Sequence, residues 1–223
     1  MIVVVGDTRS EEFLAILKTL GWGRTFVEKA FVPYEGEPWG FDNGAFRDWI
    51  KGRSFSKIRY LKAIEKAVRM ADRYHFPYFS VLPDLVAQGE KSLEFSDYWG
   101  DKLKTYLGNY FEKMNWYLAV QDGMSFESVE EFIKKHSYLK GIFLGGTDTF
   151  KALAPEWSRL AKRYGLKFHY ARAGTPKKYA LAKLSQADSI DSAFPIWTKA
   201  RLVDFVKKGE KYYENLIRQK TLF

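Results

Sequence analysis

An α/β fold, built as a barrel of parallel strands alternating with helices, is what this sequence predicts, and three observations carry it. Short apolar runs ending in Gly, Asp or Pro alternate along the chain with longer segments of helical periodicity. The 223 residues suit one large domain, and a hydrophobic content of 46% suits a sizeable buried core. No low-complexity tract, linker or shift in composition divides the chain, so residues 1–223 read as a single domain.

The strand candidates, in order, are IVVVGD (2–7), PWGFDNG (38–44), YFSVLPD (78–84), WYLAVQDG (116–123), GIFLGG (141–146), KFHYAR (167–172) and DSIDSAF (188–194). Helical patterns fill 10–20, 57–74, 90–113, 125–136, 147–164 and 176–185, and a last one covers roughly 198–218. Strand–helix alternation implies parallel βαβ units. In the 57–74 segment Ile58, Leu61, Ile64, Val68 and Ala71 recur at spacings of three and four, which predicts one apolar stripe with a solvated basic face opposite it. Ser125 is placed to cap the next helix but one, and Thr175-Pro176 places proline at a first helical position. Seven strands leave an eight-stranded barrel one short. The missing strand is expected at TFVEKAF (25–31) or near the C-terminus, so the expected fold is a TIM-like (β/α)8 barrel, short or incomplete. An open doubly wound sheet is the alternative, but VGDTRS after the first run is neither G-x-G-x-x-G nor a P-loop.

Composition limits the chemistry. Cysteine is absent, which excludes disulfides and thiolate metal sites and fits a cytoplasmic protein. The three histidines, His75, His136 and His169, have no metal-ligand spacing, so neither a metal nor a cofactor is expected. No apolar run approaches the ~20 residues of a membrane span, and MIVVVGD is too short for a secretory h-region. Four Asn and four Gln against abundant Lys and Glu hint at a thermophilic source. The net charge of +9 favours a polyanionic partner, nucleic acid above all.

In such a barrel the site forms where strands end. Those ends carry Asp42-Asn43-Gly44, Asp84, Gln121-Asp122, Gly145-Gly146, Arg172 and Asp191. Each has an ordinary reading. Asp42 to Gly44 suits a turn, Asp84 a helix N-cap, Gln121 a structural hydrogen bond, the glycines a strand end and His169 a core position. Their shared place at successive strand ends is what suggests a site.

These residues resemble the motifs of the tRNA-guanine transglycosylase superfamily, in particular its branch that inserts 7-deazaguanines into DNA. FDNGAF resembles the family's D-S-G-G-[FY]-Q, PDLV its base-reading aspartate segment, LAVQDG its V-Q-G-G and FLGGTD its G-G-L. ARAGTPKKYALAKLSQADSIDSA resembles the run G-V-G-T-P-E-D-L…G-x-D-x-F-D-S-A that leads into the nucleophile. The segments occur in the family's order over about residues 39–197. FDNGAF departs from the pattern by lacking the second glycine and the glutamine. The family's zinc site of three cysteines and a histidine is missing too, and the chain continues only about 26 residues past PIW. These departures favour DNA over tRNA as the partner.

The resemblance implies Asp191 as the nucleophile on C1′ and Asp42 as the general acid/base. It implies that Asp84, Gln121 and the backbone of Gly145 and Gly146 read the base, and that Phe41 or Phe46 stacks on it. By proximity, Arg47, Arg172, Lys177, Lys178, Trp197 and Lys199 are candidates for holding the nucleic acid. Asp188 is read as structural, and the apolar AFPIW that follows Asp191 as a wall against water. A minimal tRNA enzyme, a hydrolytic N-glycosidase and a non-catalytic nucleic-acid-binding barrel are the alternatives.

Overall fold

The computed structural model describes residues 1–29, 31–192 and 198–221. AFPIW, with Trp197, and the side chain of Lys199 lie outside the described residues.

Eight parallel strands close into a barrel in chain order: β1 (Ile2–Val5), β2 (Gly23–Phe26), β3 (Gly40–Phe41), β4 (Phe79–Val81), β5 (Trp116–Val120), β6 (Gly141–Leu144), β7 (Lys167–Tyr170) and β8 (Ser189–Ser192). The barrel is therefore complete rather than short. Its eighth strand is β2, which begins two residues before the expected run and ends at Phe26. Closure is made by β1 on β8, with Val4 opposite Asp191.

The helices are α1 (Glu11–Leu20), α2 (Ala45–Ile50), α3 (Lys57–Arg73), α4 (Glu90–Leu107), α5 (Phe126–Lys135), α6 (Asp148–Lys151), α7 (Ala154–Arg163), α8 (Pro176–Leu184) and α9 (Lys199–Thr221). Local chemistry sets several of their ends. Ser125 and Thr175 accept hydrogen bonds from the N–H groups of Ser128 and Lys178, and Pro176 opens α8. The expected helix 147–164 is two helices, because Thr147 caps a short α6 and Pro155 starts α7 afresh. The expected helix 90–113 ends at Leu107, and two 3₁₀ turns carry the chain on to Met114.

Two apolar layers form. Val4, Phe79, Val81, Tyr117 and Ala119 fill the barrel interior, and a larger cluster lies between sheet and helices. Gly40 and Gly141 make room for the inner rings: a Cβ there would sit 2.2 Å from Phe79 and 2.4 Å from Tyr117. The apolar face of α3 is rotated from the expected stripe. Tyr60, Ala63, Ile64, Ala67, Met70 and Ala71 are buried, while Ile58 is 69% exposed. Inside β2, Arg24 is buried and neutralised by Glu37, which accepts from Nε and a terminal nitrogen at 2.8 Å each. That pair ties the segment after β2 back to the barrel. No helix among the described residues is long and apolar enough to cross a membrane.

Candidate active site

A cavity of about 450 Å³ opens where the strands end, within the range typical of ligand sites. Asp42, Asp84, Gln121, Gly145, Gly146, Phe46, Arg47, Arg172 and Asp191 all line it. Residues spread over 150 positions of sequence thus meet at one mouth, because they lie at or just beyond the ends of six strands, β3 to β8, of one barrel.

Asp191 is the second carboxylate of ADSIDSA and sits on β8 with its side chain 20% exposed. Its Oδ1 accepts from the Arg172 N–H at 2.9 Å and lies 3.0 Å from His169 Nε2. The other ring nitrogen of His169, Nδ1, lies 2.8 Å from Ser189 Oγ. The imidazole is fully buried, stacked 4.5 Å from Phe143, and burial holds its pKa below the usual value. We assign it as neutral, with Nε2–H donating to the carboxylate and Nδ1 accepting from the Ser189 hydroxyl. Burial pushes Asp191 up, but the His169 hydrogen bond, the Arg172 N–H and the Lys151 ammonium outweigh it. The carboxyl is held below its usual value. Asp188 is structural, as its sequence position suggested, since its Oδ2 accepts from the Phe168 N–H at 2.8 Å.

Asp42 and Asp84 sit in a different environment. Asp42 Oδ1 accepts from the Gly44 N–H at 2.6 Å, closing a turn in which Gly44 has φ +76°. The turn reading of Asp42-Asn43-Gly44 therefore holds, and the same three residues line the cavity. Burial, aided by the charge of Asp191, raises Asp42 to about 6. Asp84 is not a helix cap, since α4 begins six residues later with Gly89 before it. It accepts from Asn43 Nδ2 at 2.7 Å and from Gln121 Nε2 at 3.2 Å, and burial with the charge of Asp42 raises it to about 6 as well.

Gln121 is committed within the protein. Its Oε1 accepts from the Ala87 N–H at 2.6 Å, and its Nε2 also donates to Leu85 O and Ser92 Oγ. It lines the cavity but acts by holding Asp84. The Gly145 N–H donates to Val120 O, and the Gly146 carbonyl accepts from the Arg172 guanidinium. Gly146 has φ +81°, and a Cβ there would sit 2.5 Å from Asp122 Oδ2. Asp122 needs that space, because it accepts from the N–H and hydroxyl of Thr147 at 2.7 and 2.5 Å.

The aromatic candidates separate. Phe41 is fully buried beneath the sheet, 5.8 Å from Phe26 and 6.1 Å from Tyr60, and does not line the cavity. It takes the core alternative, because a strand residue next to an inward one faces the helices. Phe46 lines the cavity, with the Arg172 guanidinium 4.0 Å above its ring and Trp49 stacked 5.9 Å away. The basic candidates separate too. Arg47 pairs with Glu28 at 2.5 Å and Lys178 with Asp148 at 2.7 Å, while Lys177 is exposed outside the cavity.

Sequence reasoning missed Lys151, Trp49 and the roles of Asn43 and His169. Lys151 is 1% exposed, and its Nζ donates to the Ala171 carbonyl. Burial, reinforced by the charge of Arg172, lowers its pKa to about 7. Arg172 and Ala87 both line the cavity and both hold positive φ, +52° and +61°. Such backbone is costly for a residue with a Cβ and concentrates at functional sites. Among the described residues no group of three or more His, Asp or Glu is arranged to hold a metal ion. No protein-family model and no curated protein matches this chain.

Proposed function

We propose that this protein exchanges guanine for a 7-deazaguanine base in DNA through a covalent Asp191-glycosyl intermediate. The observation that carries the reading is the separation of carboxylates in one cavity. Asp191 is held ionised by His169 and the Arg172 N–H, while Asp42 is raised to about 6. Two carboxyl groups pushed apart in this way suit a nucleophile and an acid/base partner.

The chemistry follows from that division. An Asp191 carboxylate oxygen attacks C1′, and the bond from C1′ to the guanine nitrogen breaks with its electron pair leaving on the base. Asp42, protonated, gives its proton to the departing guanine and is left as carboxylate. An incoming 7-deazaguanine gives its ring N–H proton to Asp42, and its nitrogen attacks C1′, which releases Asp191. Asp42 is thus protonated again, the departing guanine keeps the proton it received, and no cofactor is consumed. Asp84, steadied by Asn43 and Gln121, accepts hydrogen bonds from the base edge. Phe46 supplies a flat ring beside it. Reaching a base in DNA requires taking it out of the stack, which costs a few kcal/mol.

The test is incorporation of labelled guanine into duplex DNA by the native protein and by Asp191→Asn, with tRNA assayed in parallel. Incorporation into DNA that vanishes in the variant supports the proposal. Equal activity in the variant removes Asp191 from its role, incorporation into tRNA alone moves the substrate to tRNA, and release of free guanine without an acceptor base makes the enzyme a hydrolase.

A further inference from the structure

The cavity does not account for the excess of positive charge. Arg47 and Lys178 at its edge are already paired with carboxylates, and the Arg172 guanidinium is bound to Gly146. A different surface carries cations that no described carboxylate pairs. On α3, Lys62, Lys66, Arg69 and Arg73 are all exposed and make none of the ion pairs found among the described residues. Their spacing of four, three and four residues puts them on one face of the helix. The two acids in this stretch of α3, Glu65 and Asp72, lie on the adjoining flank, where Glu65 accepts from the Tyr106 hydroxyl and Asp72 from Tyr110. Their hydrogen bonds are thus made to tyrosines and not to the four cations.

The cationic side borders a groove of about 300 Å³ between α3 and the segment that follows β2. Lys66, Arg69 and Arg73 line it along with Phe31, Val32 and Tyr74. Val32 is 66% exposed at its lip, and the Arg73 guanidinium sits 5.5 Å over the Tyr74 ring. The eleven helical steps from Lys62 to Arg73 span about 16 Å. That is the rise of roughly five phosphates along one DNA strand. A free phosphate would use one focus of charge rather than a line, and a concave groove does not lie flat on a bilayer.

We propose that this face of α3 is a second DNA contact, a track for the phosphate backbone that lies apart from the catalytic cavity. The inference rests on the nucleic-acid reading above for the identity of the polyanion. Its energetics are those of counterion release, so each phosphate neutralised adds to the salt dependence of binding.

The test is binding of a fluorescently labelled short DNA duplex and its single strand, followed by anisotropy over a series of salt concentrations. The variant is the triple Lys66→Ala/Arg69→Ala/Arg73→Ala. The control is Lys102→Ala/Lys104→Ala/Lys134→Ala, which removes equal charge from exposed positions on α4 and α5. Thermal melting of both confirms that they fold. The expected result is a loss of about ten-fold or more in affinity at low salt for the α3 triple. The slope of log Kd against log salt should fall by about two to three, with the control staying within about two-fold of the native protein. Unchanged affinity and slope, or equal losses in both triples, would overturn the inference. So would an α3 triple that loses binding to anionic phospholipid vesicles and keeps DNA. Because binding is read without chemistry, its outcome does not depend on whether base exchange occurs. Failure of the track and failure of the base-exchange reading are therefore separate results.

Discussion

His169 on β7 reaches across to Asp191 on β8, and their side chains meet at 3.0 Å inside the barrel. The imidazole is itself fixed by Ser189 and by stacking on Phe143. A buried donor of fixed orientation therefore faces a cavity carboxylate that is held below its usual pKa while open to ligand. His169→Gln should raise the pKa of Asp191, since the strongest influence favouring its ionised form would be weakened. The acidic limb of the pH–activity profile should move to higher pH, with kcat lower by roughly 10- to 100-fold. A profile that keeps its acidic limb would assign His169 to packing alone.

Asp42 gives a stability prediction of defined sign. Its folded pKa, about 6, lies above its ordinary value of 3.8, so the folded state binds the proton more tightly than the unfolded chain does. Its favourable contribution is complete below about pH 4 and is lost as pH rises through 6. Asp42→Asn removes the charge and retains an oxygen for the Gly44 N–H. The variant should exceed the native protein in stability by roughly 1–3 kcal/mol at pH 8, and the gain should shrink to near zero at pH 4. Denaturant melts at the two pH values measure it.

Lys151 is the reverse case. Its amine is buried, has a carbonyl as hydrogen-bond partner, and carries a pKa lowered to about 7. A depressed folded value means that its contribution is present above pH 10.5 and is lost as pH falls to 7. Lys151→Met, which fills the same volume without the charge, should therefore stabilise the protein most at and below pH 7. The benefit should fade toward pH 10. A gain independent of pH would point to packing instead.

Arg172 holds φ +52°, a left-handed backbone that a Cβ disfavours. Arg172→Ala and Arg172→Gly both remove the guanidinium from Phe46 and from the Gly146 carbonyl. They differ only in what the backbone tolerates. The Gly variant should be the more stable of the two by roughly 1 kcal/mol, the reverse of the usual Ala over Gly order. Equal melting points would show that the turn relaxes once the side chain is gone.

What the sequence made legible follows physical lines. Periodicity marked seven strands and most helices, because burial on one side imposes it. β2 was placed too late because its second residue is Arg24, and a charge inside a strand reads as an interruption. Its neutralising partner, Glu37, comes 13 residues later and is invisible to local pattern. α2 was missed because it is six residues long and starts from a glycine in a left-handed conformation. Ile58 looked like core from its spacing, yet the face that packs is the one that carries Tyr60, Ala63, Ile64 and Ala67, all buried. The site residues at strand ends were legible once a barrel was assumed. The role of His169 was not, because it depends on which residue of the next strand stands beside it. In the observed register His169 faces Ser189, which places Asp191 one inward step further along the same neighbouring strand. That register would have been the signal.

The closure of β1 on β8 has a kinetic side. Val4 and Asp191 are neighbours in the sheet although 187 residues separate them in the chain. Contacts of such span form late, because the entropy of bringing distant segments together must be met before the pairing rewards it. The His169 donor, the Arg172 amide and the Asp191 acceptor come together only when β8 docks between β7 and β1. A partly folded chain can therefore carry most of the cavity wall and still lack Asp191 with its donors in place. The base exchange proposed above would thereby be reserved for molecules whose ring has closed.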